Sequence, residues 1–212
     1  MEAVKVKICG LTRLDDVLDA IELGADYLGF NFYPDSPRFI EPAQAREIFQ
    51  EIPSNISKVG VFVNADIREV LDLAVELELD MLQFHGDESA ELLNDLGHDW
   101  YKAIRLKDEA SLLEIPQYHC DWILLDAYSQ KAYGGTGYTT NWDLVEKAKH
   151  FGKNIILAGG LTPENVALAV ATVSPMMVDV ASGVESSPGI KDRHKMEVFI
   201  EKAKLTPLRL KK

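Results

Sequence analysis

A thiol, an imidazole, a guanidinium and a carboxyl group each stand at or near the end of a short apolar run in this chain. Cys9 closes KVKIC (5–9), His85 closes MLQFH (81–85), Arg105 nearly closes WYKAIRL (100–106), and Asp126 nearly closes DWILLDA (121–127). A thiolate removes protons, a carboxylic acid delivers them, and an imidazole does either, so these types suit general acid–base chemistry. Two further runs, NIILAG (154–159) and MVDVAS (177–182), end in Gly159-Gly160 and Ser182-Gly183. Glycine-bearing loops of this kind hold anions through backbone N–H groups.

The elements that position these residues follow from periodicity. With YLGFNF (27–32) and KVGVFV (58–63) the apolar runs number eight, and they alternate with stretches of 3.6-residue period. Those stretches include LDDVLDAIELGA, IREVLDLAVEL, ESAELLNDLG and ENVALAVATV, and the eighth runs from about Lys191 to Lys202. Gly24 stands where a left-handed helix cap is expected, and Pro163 where a first helical residue is expected. No linker or composition shift interrupts the alternation, so residues 1–212 read as one domain. Continuous apolar strands alternating with helices imply a parallel sheet covered by helices. Eight units fit an α/β fold of the (β/α)8 TIM-barrel type; a doubly wound open sheet is the alternative, with two edges to protect.

In such a barrel the C-terminal strand ends line the active site, and the loops after strands seven and eight commonly bind phosphate. Cys9, Asn31, Asn64, His85, Arg105, Asp126 and the two glycine loops then converge, and a phosphorylated small-molecule substrate follows. Period-2 alternation places Lys7 one layer beneath Cys9 and Gln83 beneath His85. A buried lysine needs a partner, and Asp179 on strand eight, next to strand one, is the candidate. The Lys7 cation is expected to favour a Cys9 thiolate, lowering a pKa that starts near ~8.5.

Plainer readings stand beside these. Cys120 begins strand six at the far end of the barrel and reads as an inert small hydrophobe. Asp126 alone would be a turn or cap residue, and Asp87 would cap a helix over 88–96. GGTG (134–137) fits a flexible turn, and His98, His119, His150 and His194 fall on helix ends or bottom loops. No His, Cys, Asp and Glu set has metal-ligand spacing, so no metal and no cofactor is expected.

At 212 residues the chain can bury about 70% of its unfolded surface, with 47% hydrophobic and 26% charged residues. A net charge of −12 disfavours nucleic acid and anionic membrane as partners. MEAVKVK lacks the apolar core of a signal peptide, and no run reaches the length of a membrane span. Two cysteines make no disulfide framework. A cytoplasmic enzyme is expected, as a monomer, with a homodimer as the alternative.

Taken together in order, KICGLT, GFNFYPDSPR, VGVFVN, LQFHGDE, LLDA followed by GGTG, LAGGLTPENV and DVASGVESSPGIKD resemble phosphoribosylanthranilate isomerase of tryptophan biosynthesis, from residue 7 to 192. The resemblance implies a (β/α)8 barrel and an Amadori rearrangement of N-(5-phosphoribosyl)anthranilate. It implies Cys9 as general base and Asp126 as general acid. Arg38, from the SPR motif, would face the anthranilate carboxylate; His85 and the glycine loops would bind the rest of the substrate. The chain departs from the family pattern after GGTG, reading Thr140-Asn141-Trp142 where Phe-Asp-Trp is usual, which bears on loop six. Among related barrels, the histidine-pathway sugar isomerase uses an aspartate where Cys9 stands, and indole-glycerol-phosphate synthase needs a lysine that YLGFNF lacks. Another phosphate-binding sugar isomerase, or a non-catalytic phosphate-binding barrel, is the remaining alternative; retention of both Cys9 and Asp126 argues against the latter.

Overall fold

The computed structural model describes residues 3–127 and 140–208. Eight parallel strands close into a barrel in sequence order: β1 (Lys5–Cys9), β2 (Tyr27–Asn31), β3 (Ser57–Phe62), β4 (Met81–Phe84), β5 (Trp100–Leu106), β6 (Trp122–Ala127), β7 (Asn154–Leu157) and β8 (Met177–Val180). Closure is set by β1 pairing with both β2 and β8, where Lys7 stands opposite Tyr27 on one side and Asp179 on the other. The closed barrel has no open edge, so the open-sheet alternative falls.

Strand parity sorts the core into two layers. Val59, Tyr101, Ala103, Leu124, Ile156 and Met177 face inward and fill the barrel. Their neighbours Ile8, Leu28, Phe30, Phe84, Ile123 and Val178 face outward against the helices. Strands buried on both faces need no polar alternation, which is why the apolar runs are continuous. Truncating one of the large aliphatic or aromatic members to alanine costs about 2–5 kcal/mol.

The helices α1 (Leu14–Glu22), α2 (Pro42–Phe49), α3 (Ile67–Glu76), α4 (Ala90–Leu93), α5 (Trp142–Ala148), α6 (Val166–Val173) and α7 (Arg193–Leu205) pack outside the strands. Gly24 follows α1 with φ +91, the left-handed geometry expected of it. Three expectations change. The helix expected over 88–96 shrinks to α4, capped by Ser89 and not by Asp87, which instead pairs with Arg105. Between β5 and β6 the segment Glu109–Gln117 is a 3-10 helix containing Pro116, whose missing N–H and ring disfavour an α-helical ladder. Pro163 sits in a turn before α6, where Thr162 and Asn165 hold the chain: Asn165 Oδ1 accepts from Thr162 N at 2.8 Å, and Thr162 Oγ1 accepts from Glu164 N at 3.2 Å. A short antiparallel ribbon, β9 (Glu185–Ser187) with β10 (Ile190–Lys191), follows β8 before α7 begins. Among the described residues, no helix is long and apolar enough to cross a membrane.

Candidate active site

The C-terminal end of the barrel opens into a cavity of about 400 Å³, within the range for small-molecule sites. Cys9, Arg38, His85 and Asp126 line it, as do Gly159, Gly160, Ser182 and Gly183. Asn31 and Arg105 are also at its wall, but Asn64 is not. Asn64 is a loop clamp: its backbone N–H donates to Glu88 Oε1 at 2.8 Å, and its Oδ1 accepts from the Asp87 N–H at 2.7 Å. GGTG (134–137) lies outside the described residues.

Beneath Cys9 the interior is charged. The Lys7 side chain is fully buried, and its Nζ donates to Asp179 Oδ1 at 3.0 Å and Gln83 Oε1 at 2.8 Å. Burial alone would push this ammonium down, but Asp179, Cys9 and Tyr101 outweigh it and hold Lys7 well above its ordinary range. The expected Asp179 partner is therefore in place. The expected effect on Cys9 is not. Burial pushes the thiol up, the nearby Asp179 carboxylate adds to that, and the Lys7 cation and its hydrogen bond only partly offset them. Burial is the largest of these influences, which is why the thiol ends above its ordinary value despite the Lys7 cation. Gly29 makes room for this stack: a Cβ there would lie 2.8 Å from Cys9 Sγ and 3.0 Å from Lys7 Cε.

Asp126, near the end of β6, stands opposite Arg105 of β5. His85 Nε2 lies 3.2 Å from Asp126 Oδ2. That separation is short enough for an ion pair, yet Nε2 is buried without a well-aligned hydrogen bond. Gln83 Nε2 lies 2.8 Å from the other ring nitrogen, His85 Nδ1. Lys102, on the outward face of β5, holds this corner by donating to Gly86 O at 2.7 Å, Phe84 O at 3.3 Å and Glu88 Oε2 at 3.2 Å. Burial pulls its ammonium down despite Glu88.

Arg38 reaches the cavity from the loop after β2. Asn31 and Ser36 shape that loop: Asn31 Nδ2 donates to Ser36 Oγ at 3.1 Å, and Ser36 Oγ accepts from the Arg38 N–H at 3.1 Å. The side chain crosses Gly10, where a Cβ would stand 2.5 Å from Arg38 Cδ. Its guanidinium is already paired in two-pronged fashion, Nε to Glu185 Oε1 and Nη2 to Glu185 Oε2, both at 2.8 Å. Glu185 also accepts from Lys191 Nζ at 2.8 Å, and the same ammonium donates to the Cys9 carbonyl at 2.6 Å. Burial would push the Glu185 carboxyl up, but Arg38 and Lys191 hold it below the usual range. Glu185 thus occupies the Nε and Nη2 edge of the guanidinium fork.

Sequence reading missed Glu185 and Lys191. The only trace of them was ESSPGIK, whose Pro188-Gly189 turn returns Lys191 beside Glu185 across the ribbon.

The glycine side is built from backbone. Gly159 and Gly160 take φ +83 and +64, conformations that favour glycine. A Cβ on Gly183 would overlap the Leu161 carbonyl oxygen, so the two loops touch through main chain. Thr140, at the departure after GGTG, is buried and donates from Oγ1 to Ala158 O at 2.7 Å, and Asn141 caps α5. The changed residues thus anchor the β7 end and start the next helix. Among the described residues, no group of three or more His, Cys, Asp or Glu side chains is placed to hold a metal ion.

Residues 6–202 match the family described as N-(5'phosphoribosyl)anthranilate (PRA) isomerase. The chain belongs to this family. It is 53% identical over 200 residues to the N-(5'-phosphoribosyl)anthranilate isomerase of Geotalea uraniireducens, covering 94% of this chain and 98% of that protein. The crystal structure of phosphoribosyl anthranilate isomerase from Thermotoga maritima superposes with a TM-score of 0.89 at 40% identity, over 95% of this chain and 98% of that one. A phosphoribosyl anthranilate isomerase in complex with reduced 1-(o-carboxyphenylamino)-1-deoxyribulose 5-phosphate superposes with a TM-score of 0.86 at 39% identity, over 95% and 98%. Relatives of this isomerase family thus share the barrel, and one of them holds a phosphorylated ligand.

Proposed function

We propose that this barrel isomerises N-(5-phosphoribosyl)anthranilate to 1-(2-carboxyphenylamino)-1-deoxyribulose 5-phosphate in tryptophan biosynthesis, with Asp126 as acid and Cys9 as base. The observation that carries the assignment of roles is that both groups face one cavity from β1 and β6, beside two glycine loops. Asp126 gives its proton to the furanose ring oxygen as the C1–O bond breaks, and the nitrogen lone pair forms C1=N. Cys9 then takes the C2 proton, the electrons of that C–H bond form C1=C2 as the C1=N pair returns to nitrogen, and the resulting enamine tautomerises to the ketone.

The chemistry requires a thiolate together with a carboxylic acid. A thiol ordinarily titrates far above a carboxyl group, so this protonation pattern is the reverse of the usual order. Burial of Cys9 makes the thiolate scarcer but each thiolate a stronger base. Arg38 takes the anthranilate carboxylate through Nη1, His85 borders the ribose, and Gly159, Gly160, Ser182 and Gly183 take the phosphate.

Every residue named here belongs to one chain, so a monomer suffices for the reading. Residues 1–212 act as one barrel domain in this proposal. Both cysteines are free, which fits a reducing cytoplasm. Turnover of freshly prepared phosphoribosylanthranilate by the purified protein, lost in Cys9→Ala and in Asp126→Asn, tests the proposal. Turnover by either variant at the parental rate removes that residue from the chemistry.

A further inference from the structure

A line of buried polar groups crosses the barrel floor from β8 to β6. Asp179 accepts from Lys7, Lys7 donates to Gln83 Oε1, Gln83 Nε2 meets His85 Nδ1, and His85 Nε2 faces Asp126 Oδ2. Tyr101 adds a second donor to Gln83 Oε1 at 2.8 Å. We infer that Gln83 is a positioning residue for the acid step: it dictates which nitrogen of His85 carries the proton, and thereby which oxygen of Asp126 carries the proton given to substrate. This rests on Asp126 as the acid.

Donor and acceptor roles fix the orientation of each group. An ammonium only donates, so the Gln83 atom 2.8 Å from Lys7 Nζ is the carbonyl oxygen. Burial pushes the Tyr101 phenol far up, so it keeps its proton and spends it on the same oxygen. The Gln83 amide cannot turn over without setting its N–H groups against two donors. Its nitrogen therefore points at His85 Nδ1 and donates, which makes Nδ1 an acceptor and leaves the ring proton on Nε2.

The consequence falls on Asp126. With an N–H facing Oδ2, the proton of the carboxylic acid belongs on Oδ1, from which it can leave toward substrate. With the opposite tautomer, a bare Nε2 would accept that proton and hold it against the wall. In this structure Nε2 is buried without a well-aligned hydrogen bond. It gains a full charge to point at once Asp126 has given its proton up, so its stabilisation grows as the step proceeds. Among the described residues, Gln83 Nε2 at 2.8 Å is the hydrogen-bond partner of His85 Nδ1, so Gln83 sets the tautomer.

Nitrogen NMR of the full-length protein labelled at histidine decides the matter, with the His85 signals assigned by comparison with His85→Asn. The result expected is a neutral His85 protonated at Nε2 and bare at Nδ1. Gln83→Glu replaces the donor with an acceptor and should put a proton on Nδ1. Its kcat should fall about tenfold or more while KM stays within about twofold. Gln83→Met, which keeps the volume but neither accepts nor donates strongly, should give mixed tautomers and an intermediate kcat. A parental protein with Nδ1 protonated overturns the inference even if neither variant folds. So does Gln83→Glu with an inverted tautomer and unchanged kcat, or with an unchanged tautomer and lost activity. Failure of the acid assignment looks different: Asp126→Asn would turn over normally whatever the tautomer.

Discussion

The β1, β4 and β6 side of the barrel mouth holds its groups with buried charge, whereas the β7 and β8 loops are shaped by main chain. On the first side, Lys7, Asp179, Gln83 and His85 are linked through side-chain atoms. On the second, positive φ at Gly159 and Gly160 and the contact of Gly183 with Leu161 set the shape. The difference teaches that the two sides fail differently. The charged side is sensitive to removing or swapping single polar atoms at constant volume. The glycine side is sensitive to adding atoms at all.

The largest effects should come from the charged side. Positioned proton transfer contributes about 10²–10⁴-fold, so Cys9→Ala and Asp126→Asn should each cost turnover of that order with the fold retained by circular dichroism. Because burial raises the Cys9 thiol, activity should climb with pH through a midpoint above the usual thiol range. Iodoacetamide inactivation should climb through the same midpoint, react at Cys9 ahead of Cys120, and be slowed by product analogue. An ascending limb at or below the ordinary thiol value would mean that Lys7 governs the thiol after all.

Next comes the glycine side. Inorganic phosphate at one hundred times its dissociation constant should add ~2.7 kcal/mol of stability, read as a melting shift. Gly183→Ala should remove that gain, since its Cβ drives the β8 loop off Leu161, and Gly160→Val should do so through strain at φ +64. A phosphate-dependent shift that survives both changes would take phosphate out of these loops and erase the contrast between the two sides.

How legible this was depends on range. Strand parity is local, so the barrel, the Lys7–Asp179 pair and the placement of Gln83 beneath His85 follow from the order of residues alone. The net direction of the Cys9 shift does not, because it balances burial against two opposite charges from different strands. Glu185 and Lys191 were hidden for a similar reason. They sit 147 and 182 residues from the groups they bind, Arg38 and the Cys9 carbonyl, and nothing in local periodicity marks them. Helix ends misread at Pro163 and Asp87 reflect local side-chain bonds, Thr162 to the Glu164 N–H in the turn before α6 and the Ser89 cap of α4.

Arg38 sharpens the comparison because its charge is committed before any ligand arrives. Arg38→Ala should weaken anthranilate-bearing analogues by about tenfold or more, since charge-assisted hydrogen bonds contribute ~1.5–3 kcal/mol. Inorganic phosphate should bind as it does to the parental chain. Glu185→Gln keeps the shape but releases the Arg38 edge, so it should weaken the same analogues less than Arg38→Ala does. Calorimetric titration with both ligand classes separates these outcomes. Equal losses for analogue and phosphate would place Arg38 with the phosphate loops or with folding.

The smallest effect is one of acid stability, and it tests whether the charged scaffold is a folding asset as well as a site. Arg38 and Lys191 hold the folded Glu185 carboxyl below the usual range, against the opposing pull of burial. A carboxyl with a depressed folded pKa binds protons more tightly when the chain is unfolded, so it adds stability above its unfolded value, near ~4.3 for glutamate. That contribution should fade as pH drops from about there through the lower folded value, and be constant near neutrality. Denaturant midpoints for the parental chain and Glu185→Gln should therefore lie furthest apart near neutral pH and converge as the pH is lowered through that window. Gly183 adds no titrating group of its own, so Gly183→Ala should keep a pH-independent offset from the parental chain over the same window. If the Glu185→Gln offset were equally flat, the Arg38–Glu185–Lys191 cluster would contribute nothing to stability through its charge. It would then act on substrate alone.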